Sequence, residues 1–134
     1  MKSDLTADLR KTKETVFLID DDDMIADVSE LILKKSGYDA VIAKSGKEAI
    51  EVYKENHSRI DMVILDMILP DMGGGDTYDR LKEINPRVKV LLASGYDIDY
   101  QASDIMERGC NGFIQKPFNM NELLEKIRGI LTSK

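Results

Sequence analysis

Short apolar runs recur along the chain, and longer segments with a helical spacing of apolar positions separate them. The runs are rich in β-branched residues and cover residues 16–19, 40–43, 62–65, 88–93 and 113–114. These runs are unbroken except for Lys89 in the fourth, and apolar runs of this length are typical of strands that are buried on both faces of a sheet. The pattern therefore predicts five buried strands.

The segments between the runs carry the spacing and the end signals of helices. The first has Ile25, Val28 and Ile32 at helical intervals and ends at Gly37, a residue type that often follows a helix. Ser45 opens the second with the spacing of an N-terminal capping box. The remaining helices are predicted over residues 76–84 and 100–108 and from Asn119 onward. This alternation predicts a doubly wound α/β fold, in which a five-stranded parallel sheet carries five helices on both faces.

Polar residues of unusual type follow the predicted strands. In an open parallel sheet, ligands bind beyond the carboxyl ends of the strands. Asp20 and Asp21 come directly after the first run, and the later runs are followed by Asp66, Ser94 and Lys116. The sequence therefore predicts one site that combines three carboxylates, a hydroxyl group and a cation.

Four consecutive aspartates occupy residues 20–23. Their repulsion costs about 1–4 kcal/mol per close pair, depending on the local dielectric, and a hard divalent cation such as Mg2+ would offset it. The alternative is that the run only caps the following helix, for which Asp23 is the predicted cap. Asp66 favours the metal site, because it ends an apolar strand rather than opening a helix. A metal bound by Asp20, Asp21 and Asp66 would orient the last as a nucleophile.

Taken singly, Ser94 is an ordinary turn serine and Lys116 an ordinary surface lysine. Three carboxylates with one Mg2+ still carry a net negative charge, so a phosphoryl group transferred there needs further donors and positive charge. Ser94 supplies a hydrogen-bond donor, and Lys116 supplies a positive charge. The combination predicts a site for phosphoryl chemistry.

Composition narrows the setting of this site. With 134 residues the chain suits one domain, predicted over residues 15–134 with residues 1–14 as a polar leader or linker. Nineteen basic and 25 acidic residues give a net charge of -6, which disfavours direct binding to nucleic acid. No apolar run approaches the roughly 18 residues that a membrane-spanning helix needs, and the single cysteine, Cys110, forms no internal disulfide. We therefore expect a cytoplasmic domain without membrane insertion.

The order of these residues resembles the receiver domains of response regulators in two-component signalling, over residues 16–131. That family has an acidic pair after the first strand, an Asp after the third, a Thr or Ser after the fourth, and Lys-Pro after the fifth. The corresponding residues here are Asp20 with Asp21, Asp66, Ser94, and Lys116 with Pro117. The resemblance implies a flavodoxin-like fold with the strand order 2-1-3-4-5.

The resemblance also implies how the acidic residues share the work. Asp66 would accept the phosphoryl group. Asp21 would bind Mg2+ directly, together with Asp66 and the backbone carbonyl of Ile68. Asp20 would act mainly through a metal-bound water.

The remaining implied roles concern the attached phosphoryl group. Ser94 would donate a hydrogen bond to it, and Lys116 would form an ion pair with it. Phe113 would turn inward as the Ser94 hydroxyl moves, and so would act as the switch. We further expect that Ile68 and Tyr96, at the rim of the site, shield the acyl phosphate from water.

A receiver of this kind takes its phosphoryl group from a histidine kinase or a histidine phosphotransfer protein. It would change the face formed by the fourth strand, the fourth helix and the fifth strand, through which two copies can pair as a homodimer. It catalyses only its own phosphorylation and dephosphorylation, so it would not be a turnover enzyme, whether free-standing or part of a hybrid histidine kinase.

Two alternatives belong to other classes. A haloacid-dehalogenase-like phosphotransferase also uses a nucleophilic Asp, but it needs a second acid two residues later, where this chain has Ile68. A docking module that no longer needs phosphorylation is the other, and the complete set of site residues disfavours it.

Overall fold

Strands and helices alternate along the residues that the structure describes. The computed structural model of the chain describes residues 13–95 and 100–133. Its strands are β1 (Thr15–Ile19), β2 (Asp39–Ala43), β3 (Met62–Asp66), β4 (Val90–Ser94) and β5 (Gly112–Gln115). Its helices are α1 (Asp23–Lys35), α2 (Gly46–Asn56), α3 (Gly74–Ile84), α4 (Tyr100–Glu107) and α5 (Met120–Thr132), with a short 3-10 turn at His57–Arg59.

All five strands are parallel and lie in the order β2-β1-β3-β4-β5. This confirms the predicted doubly wound fold and the strand order that the resemblance implied. The central strands β1, β3 and β4 each have two neighbours, whereas β2 and β5 form the edges. In the register Ile19 pairs with Leu65, and Asp66 pairs with Ala93. The strands therefore end level with one another. The residues that follow them lie along the carboxyl edge of the sheet, which is the side formed by the carboxyl ends of the strands.

The two faces of the sheet carry separate hydrophobic cores, because successive side chains of a strand point to opposite faces. On one face, alternate residues of the strands pack with α2, α3 and α4, through side chains that include Tyr53, Leu81 and Ile105. On the other, the remaining strand residues pack with α1 and α5, through side chains that include Leu33 and Ile127. Both faces of the central strands are buried, which explains the unbroken apolar runs in the sequence.

The cap of α1 differs from the prediction by one residue. Asp22, not Asp23, is the N-cap: its backbone is extended, with φ -81° and ψ 114°, and its Oδ1 accepts a hydrogen bond from the Ile25 amide at 3.1 Å. The backbone amide of Asp22 in turn donates to Asp20 Oδ1 at 2.9 Å. This bond fixes the turn after β1 and places Asp22, rather than Asp23, at the position where a cap must be extended.

Other helix signals behave as the sequence indicated, with local shifts. Asn119 and Glu122 form the reciprocal capping box of α5. Ser45 caps α2 by accepting from the Glu48 amide, but the Glu48 carboxylate accepts from the Lys44 amide instead of the Ser45 amide. The remaining shifts are small: α3 begins at Gly74 instead of residue 76, and β4 covers Val90–Ser94 instead of residues 88–93.

The apolar spacing of α1 predicts the helix correctly, but part of it faces away from the core. Val28 is 50% exposed and Met24 is 75% exposed, whereas Ala26, Ser29 and Leu33 are buried. The apolar stripe through Val28 therefore forms a surface beside the carboxyl edge of the sheet.

Candidate functional site

Three carboxylates meet at the carboxyl edge of the sheet. Asp20 follows β1, and its amide donates to the Ala43 carbonyl at 3.0 Å, which extends the pairing of β1 with β2. Asp66 is the last residue of β3. Asp20 and Asp66 are buried and Asp21 is exposed, and one carboxylate oxygen from each lies within 4.8 Å of the others. The predicted cluster is therefore present as a geometric group.

Lys116 brings a cation to this group from the end of β5, the outer strand beyond β4. Its amide donates to the Ser94 carbonyl at 2.7 Å, which continues the pairing of β4 with β5 beyond the last strand residue. Its Nζ lies 2.7 Å from Asp20 Oδ2 and 3.4 Å from Asp66 Oδ2. The peptide bond that joins Lys116 to Pro117 is cis.

The titration of Asp66 reflects this setting. Burial raises the pKa of its carboxyl group to about 6, and the charge of Asp20 adds to the effect. The ammonium of Lys116 and the Ile68 amide oppose it. For Lys116, burial lowers the pKa of the ammonium, but the hydrogen bond and charge of Asp20 and the charge of Asp66 outweigh burial, so the net shift is upward. Lys116 therefore stays charged at neutral pH, whereas the pKa of Asp66 lies not far below neutral pH.

The donor set fits a hard divalent cation. Carboxylate oxygens are the ligands that Mg2+ prefers, and Mg2+ commonly binds through one or two carboxylates together with phosphate oxygens and waters. One lysine against three carboxylates leaves this group with excess negative charge, which a divalent cation would compensate. The Ile68 amide donates to Asp66 Oδ1 at 3.3 Å, so the backbone of Ile68 lies directly beside the carboxylates.

The structure places the other predicted site residues around this group. Ser94 is the last residue of β4 and is buried. Phe113 lies in β5, pairs with Leu92, and packs half-buried against the core beneath α4. Ile68 is 62% exposed. Tyr96 lies outside the described residues, and the roles assigned to Ser94, Phe113 and Ile68 stay predictions.

Among residues 13–95 and 100–133, two clefts stand out at this edge. One, of about 410 Å³, holds the carboxylates and is lined by Asp20, Asp21, Asp22, Ile25, Asp66, Ile68, Gly95 and Lys116. A mainly apolar groove of about 460 Å³ adjoins it and is lined by Met24, Ile25, Val28, Ser29, Gly95, Lys116, Pro117 and Phe118. The site therefore opens onto an apolar surface.

Sequence reasoning missed the role of Asp71, in the loop that connects β3 to α3. Its Oδ1 accepts a hydrogen bond from the Gly46 amide at 2.8 Å, and its Oδ2 accepts one from the Lys47 amide at 2.9 Å. The partners are 24 and 25 positions away in the chain. In the sequence Asp71 is only a polar residue in a turn, so no local signal could have identified this contact.

Comparison with known proteins gives a consistent result. The family model of the response regulator receiver domain matches residues 16–128. The sensor kinase CckA of Brucella abortus is 31% identical over 117 residues, which are 87% of this chain and 12% of that protein. A cyclic di-GMP phosphodiesterase of Thermotoga maritima is 32% identical over 120 residues, which are 90% of this chain and 32% of that protein. The chain thus spans a third or less of the length of these two relatives.

A solved structure extends the likeness to three dimensions. The crystal structure of a CheY-like response regulator receiver domain protein from Methanospirillum hungatei is 29% identical in sequence, with a TM-score of 0.82, and the alignment covers 90% of this chain and 94% of that one. Within residues 13–95 and 100–133, no helix is long and apolar enough to cross a bilayer.

Proposed function

The chain belongs to the family of response regulator receiver domains, the phosphoacceptor domains of two-component systems, and from this premise we propose that Asp66 is its phosphoacceptor. The observation that carries the proposal is the position of the Asp66 carboxylate, at the carboxyl end of β3 within 4.8 Å of Asp20 and Asp21 and 3.4 Å from the Lys116 ammonium. We propose that residues 15–134 form the domain, with residues 1–14 as a polar leader or linker.

The transfer uses Asp66 as the nucleophile. The proposed donor carries the phosphoryl group on a histidine. One carboxylate oxygen of Asp66 forms a bond to phosphorus while the bond between phosphorus and the imidazole nitrogen of that histidine breaks. The electron pair of the broken bond stays on the nitrogen. Mg2+ would be held by Asp20, Asp21 and Asp66 with the carbonyl of Ile68, and when bound it neutralises charge on the phosphoryl oxygens. Lys116 compensates the negative charge that remains on the acyl phosphate.

The attached phosphoryl group acts on the neighbouring strands. Ser94, at the end of β4, donates a hydrogen bond to it. Phe113 then turns into the core beneath α4, where Ala102 and Ile105 are already buried. The surface of β4, α4 and β5 changes in consequence and pairs with a second copy of the chain.

A protein is the proposed donor, namely a histidine kinase or a histidine phosphotransfer protein. Met24 and Val28 line the apolar groove and Ile68 lines the carboxylate cleft, and all three side chains are exposed. Exposed apolar groups clustered at a polar site are typical of a protein contact surface. A donor that covers them would also exclude water from the reacting atoms. The net charge of -6 argues against nucleic acid as a direct partner, and a cytoplasmic location stays a prediction.

The proposed reaction modifies the domain itself, so the domain does not turn over a separate substrate. A haloacid-dehalogenase-like enzyme needs an acid two residues after its nucleophile, and here that position is the exposed apolar side chain of Ile68. The family match also disfavours that alternative and the phosphorylation-independent docking module.

The test is phosphorylation by a small donor. Wild type and Asp66→Ala are incubated with acetyl phosphate, with and without Mg2+, and intact mass is measured. We expect a single phosphoryl adduct on wild type that needs Mg2+ and is absent from Asp66→Ala. An adduct on Asp66→Ala would overturn the assignment, and if wild type shows none, failure to bind beryllofluoride would do the same.

A further inference from the structure

The loop between β3 and α3, residues 67–73, is closed at its base. The Gly74 amide donates to the Met67 carbonyl at 3.0 Å, and Ile68 and Gly73 form an isolated antiparallel bridge. Ile68, whose carbonyl belongs to the proposed metal site, is therefore part of a small closed loop rather than a free segment.

The far end of this loop is tied to α2 by Asp71. Gly46 and Lys47 are the first two residues of α2, and the amides at the start of a helix have no partner within it. Asp71 accepts one hydrogen bond from each, with a different carboxylate oxygen for each bond. These two amides lower the pKa of the Asp71 carboxyl group, the Lys47 amide most, so the tether stays ionised. The side chain itself is exposed, and its bonds serve position rather than core packing.

Two glycines allow the loop to lie close to its supports. A Cβ on Gly46 would lie 2.1 Å from Met72 Cγ, and a Cβ on Gly74 would lie 2.8 Å from the Met67 Cα. Neither distance is possible for a real side chain. The loop is thus held against α2 at its far end and against the end of β3 at its base.

Helix α2 has an N-cap residue of its own besides Asp71. Ser45 already occupies the N-cap position, and its Oγ accepts from the Glu48 amide at 3.1 Å. Asp71 binds two other amides of the same helix end and comes from a different segment of the chain. Its distinctive contribution is the connection between that helix and the loop that follows Asp66.

We propose that Asp71 is a positioning residue for the divalent cation: by tying residues 67–73 to α2, it holds the backbone of Ile68 where its carbonyl completes the site. This rests on the proposed function, in which Asp20, Asp21 and Asp66 hold Mg2+ together with that carbonyl. Without the tether, the loop samples other positions, and the cation loses a ligand that was ordered in advance.

The experiment measures Mg2+ binding itself, by isothermal titration calorimetry, on wild type, Asp71→Ala, Asp71→Asn and Ser45→Ala. Ser45→Ala is the matched control, because it removes a cap of the same helix without touching the loop. All titrations are made well below the unfolding transition of the least stable variant. Hydrogen exchange of the Ile68 amide reports on the loop in the same samples.

We expect Asp71→Ala to weaken Mg2+ binding about tenfold, the lower end of the effect of removing outer partners of a metal ligand. The Mg2+ affinity of Asp71→Asn should lie between those of wild type and Asp71→Ala, because its amide oxygen still accepts one hydrogen bond. Ser45→Ala should bind Mg2+ as wild type does. The Ile68 amide should exchange fastest in Asp71→Ala, at an intermediate rate in Asp71→Asn, and as in wild type in Ser45→Ala. If Asp71→Ala does not fold, the comparison of Asp71→Asn with Ser45→Ala carries the test.

Two results would overturn the proposal while leaving the proposed function intact. One is Mg2+ binding by the folded Asp71 variants that equals that of wild type. The other is an equal loss in Ser45→Ala, which would assign the effect to the stability of α2. A wild type that binds no Mg2+ would instead overturn the proposed metal site, and this proposal with it.

Discussion

The ammonium of Lys116 donates a hydrogen bond to Asp20, with 2.7 Å between Nζ and Oδ2. Its distance to Asp66 Oδ2 is longer, 3.4 Å. In the unphosphorylated site the lysine is thus paired mainly with a buried carboxylate other than the proposed acceptor. A phosphoryl group on Asp66 would compete with Asp20 for the same ammonium, so we infer that Lys116 changes partner when the domain is phosphorylated.

Replacement of Lys116 should separate stability from metal binding. Lys116→Met keeps most of the stem but leaves Asp20 without its cation, and removing one partner of a buried ion pair costs about 3 kcal/mol of unfolding free energy. Mg2+ should nevertheless bind more tightly, because no ammonium competes for the carboxylates. Urea unfolding in EDTA and calorimetric titration of Mg2+ measure the two effects. Lys89→Met is the control, because Lys89 directly precedes β4 at the amino ends of the strands, away from the site. Equal Mg2+ affinity in both variants would contradict the expectation.

The stability of the metal-free domain should depend on pH through Asp66. Its carboxyl group has a pKa of about 6 in the folded chain against an ordinary value of 3.8. The folded state therefore binds this proton more tightly than the unfolded state does, and wild type loses stability as the pH rises from the lower value through the higher one. A shift of this size corresponds to about 3 kcal/mol.

Asp66→Asn removes this group and should be more stable than wild type near neutral pH by about 2–3 kcal/mol. The gain should shrink as the pH falls toward mildly acidic values, where wild type is itself protonated. Urea unfolding in EDTA at both pH values measures it, and Asp27→Asn, an exposed carboxylate on α1, controls for the loss of one charge. A gain that does not change with pH would contradict the expected role of Asp66.

Ile68 offers a test of the acyl phosphate's lifetime. Its side chain is 62% exposed, so Ile68→Asn should leave the stability of the fold nearly unchanged. We expect the variant to dephosphorylate several-fold faster, because an amide at this position admits and orients water where an apolar group excludes it. Decay of the phosphoryl adduct is followed by intact mass after the donor is removed, with Ile68→Val as the control. An unchanged decay rate in Ile68→Asn would sink the shielding hypothesis.

Two adjacent glycines should respond differently to the same substitution. Gly74→Ala places a Cβ 2.8 Å from the Met67 Cα, which is backbone and cannot move aside cheaply, so we expect a loss of about 2–3 kcal/mol. Gly73→Ala meets no atom within 4 Å and has an ordinary φ of -73°, so its stability should stay within about 1 kcal/mol of wild type. Urea unfolding of the two variants compares them directly, and equal losses would contradict the close approach at Gly74.

Much of the fold could be predicted because its strands are buried on both faces. Each central strand shows an unbroken apolar run, and a polar residue follows where the strand leaves the core. Once the strands were expected to be parallel, Asp20, Asp66 and Lys116 had to share one edge. That is why the site could be anticipated before any distance was known.

What the sequence could not supply were individual hydrogen bonds in turns and loops, and the side of a helix that meets the sheet. The bond between Asp22 and the Asp20 carboxylate decides which aspartate caps α1, and an unbroken run of four Asp residues does not reveal it. The tether from Asp71 to α2 depends on how a loop lies against a helix. The exposed face of Val28 likewise depends on which side of α1 meets the sheet, and apolar spacing alone does not fix that side.

The edge position of β5 gives the two halves of the site different freedom. Asp20 and Asp66 extend strands with a neighbour on each side, whereas Lys116 extends a four-residue strand that is paired on one side only. Edge strands open locally at lower free energy than central ones. Brief detachment of β5 would therefore carry the ammonium away while the carboxylates stay in place. We expect this fluctuation to give an arriving divalent cation access to the carboxylates without disruption of the central sheet.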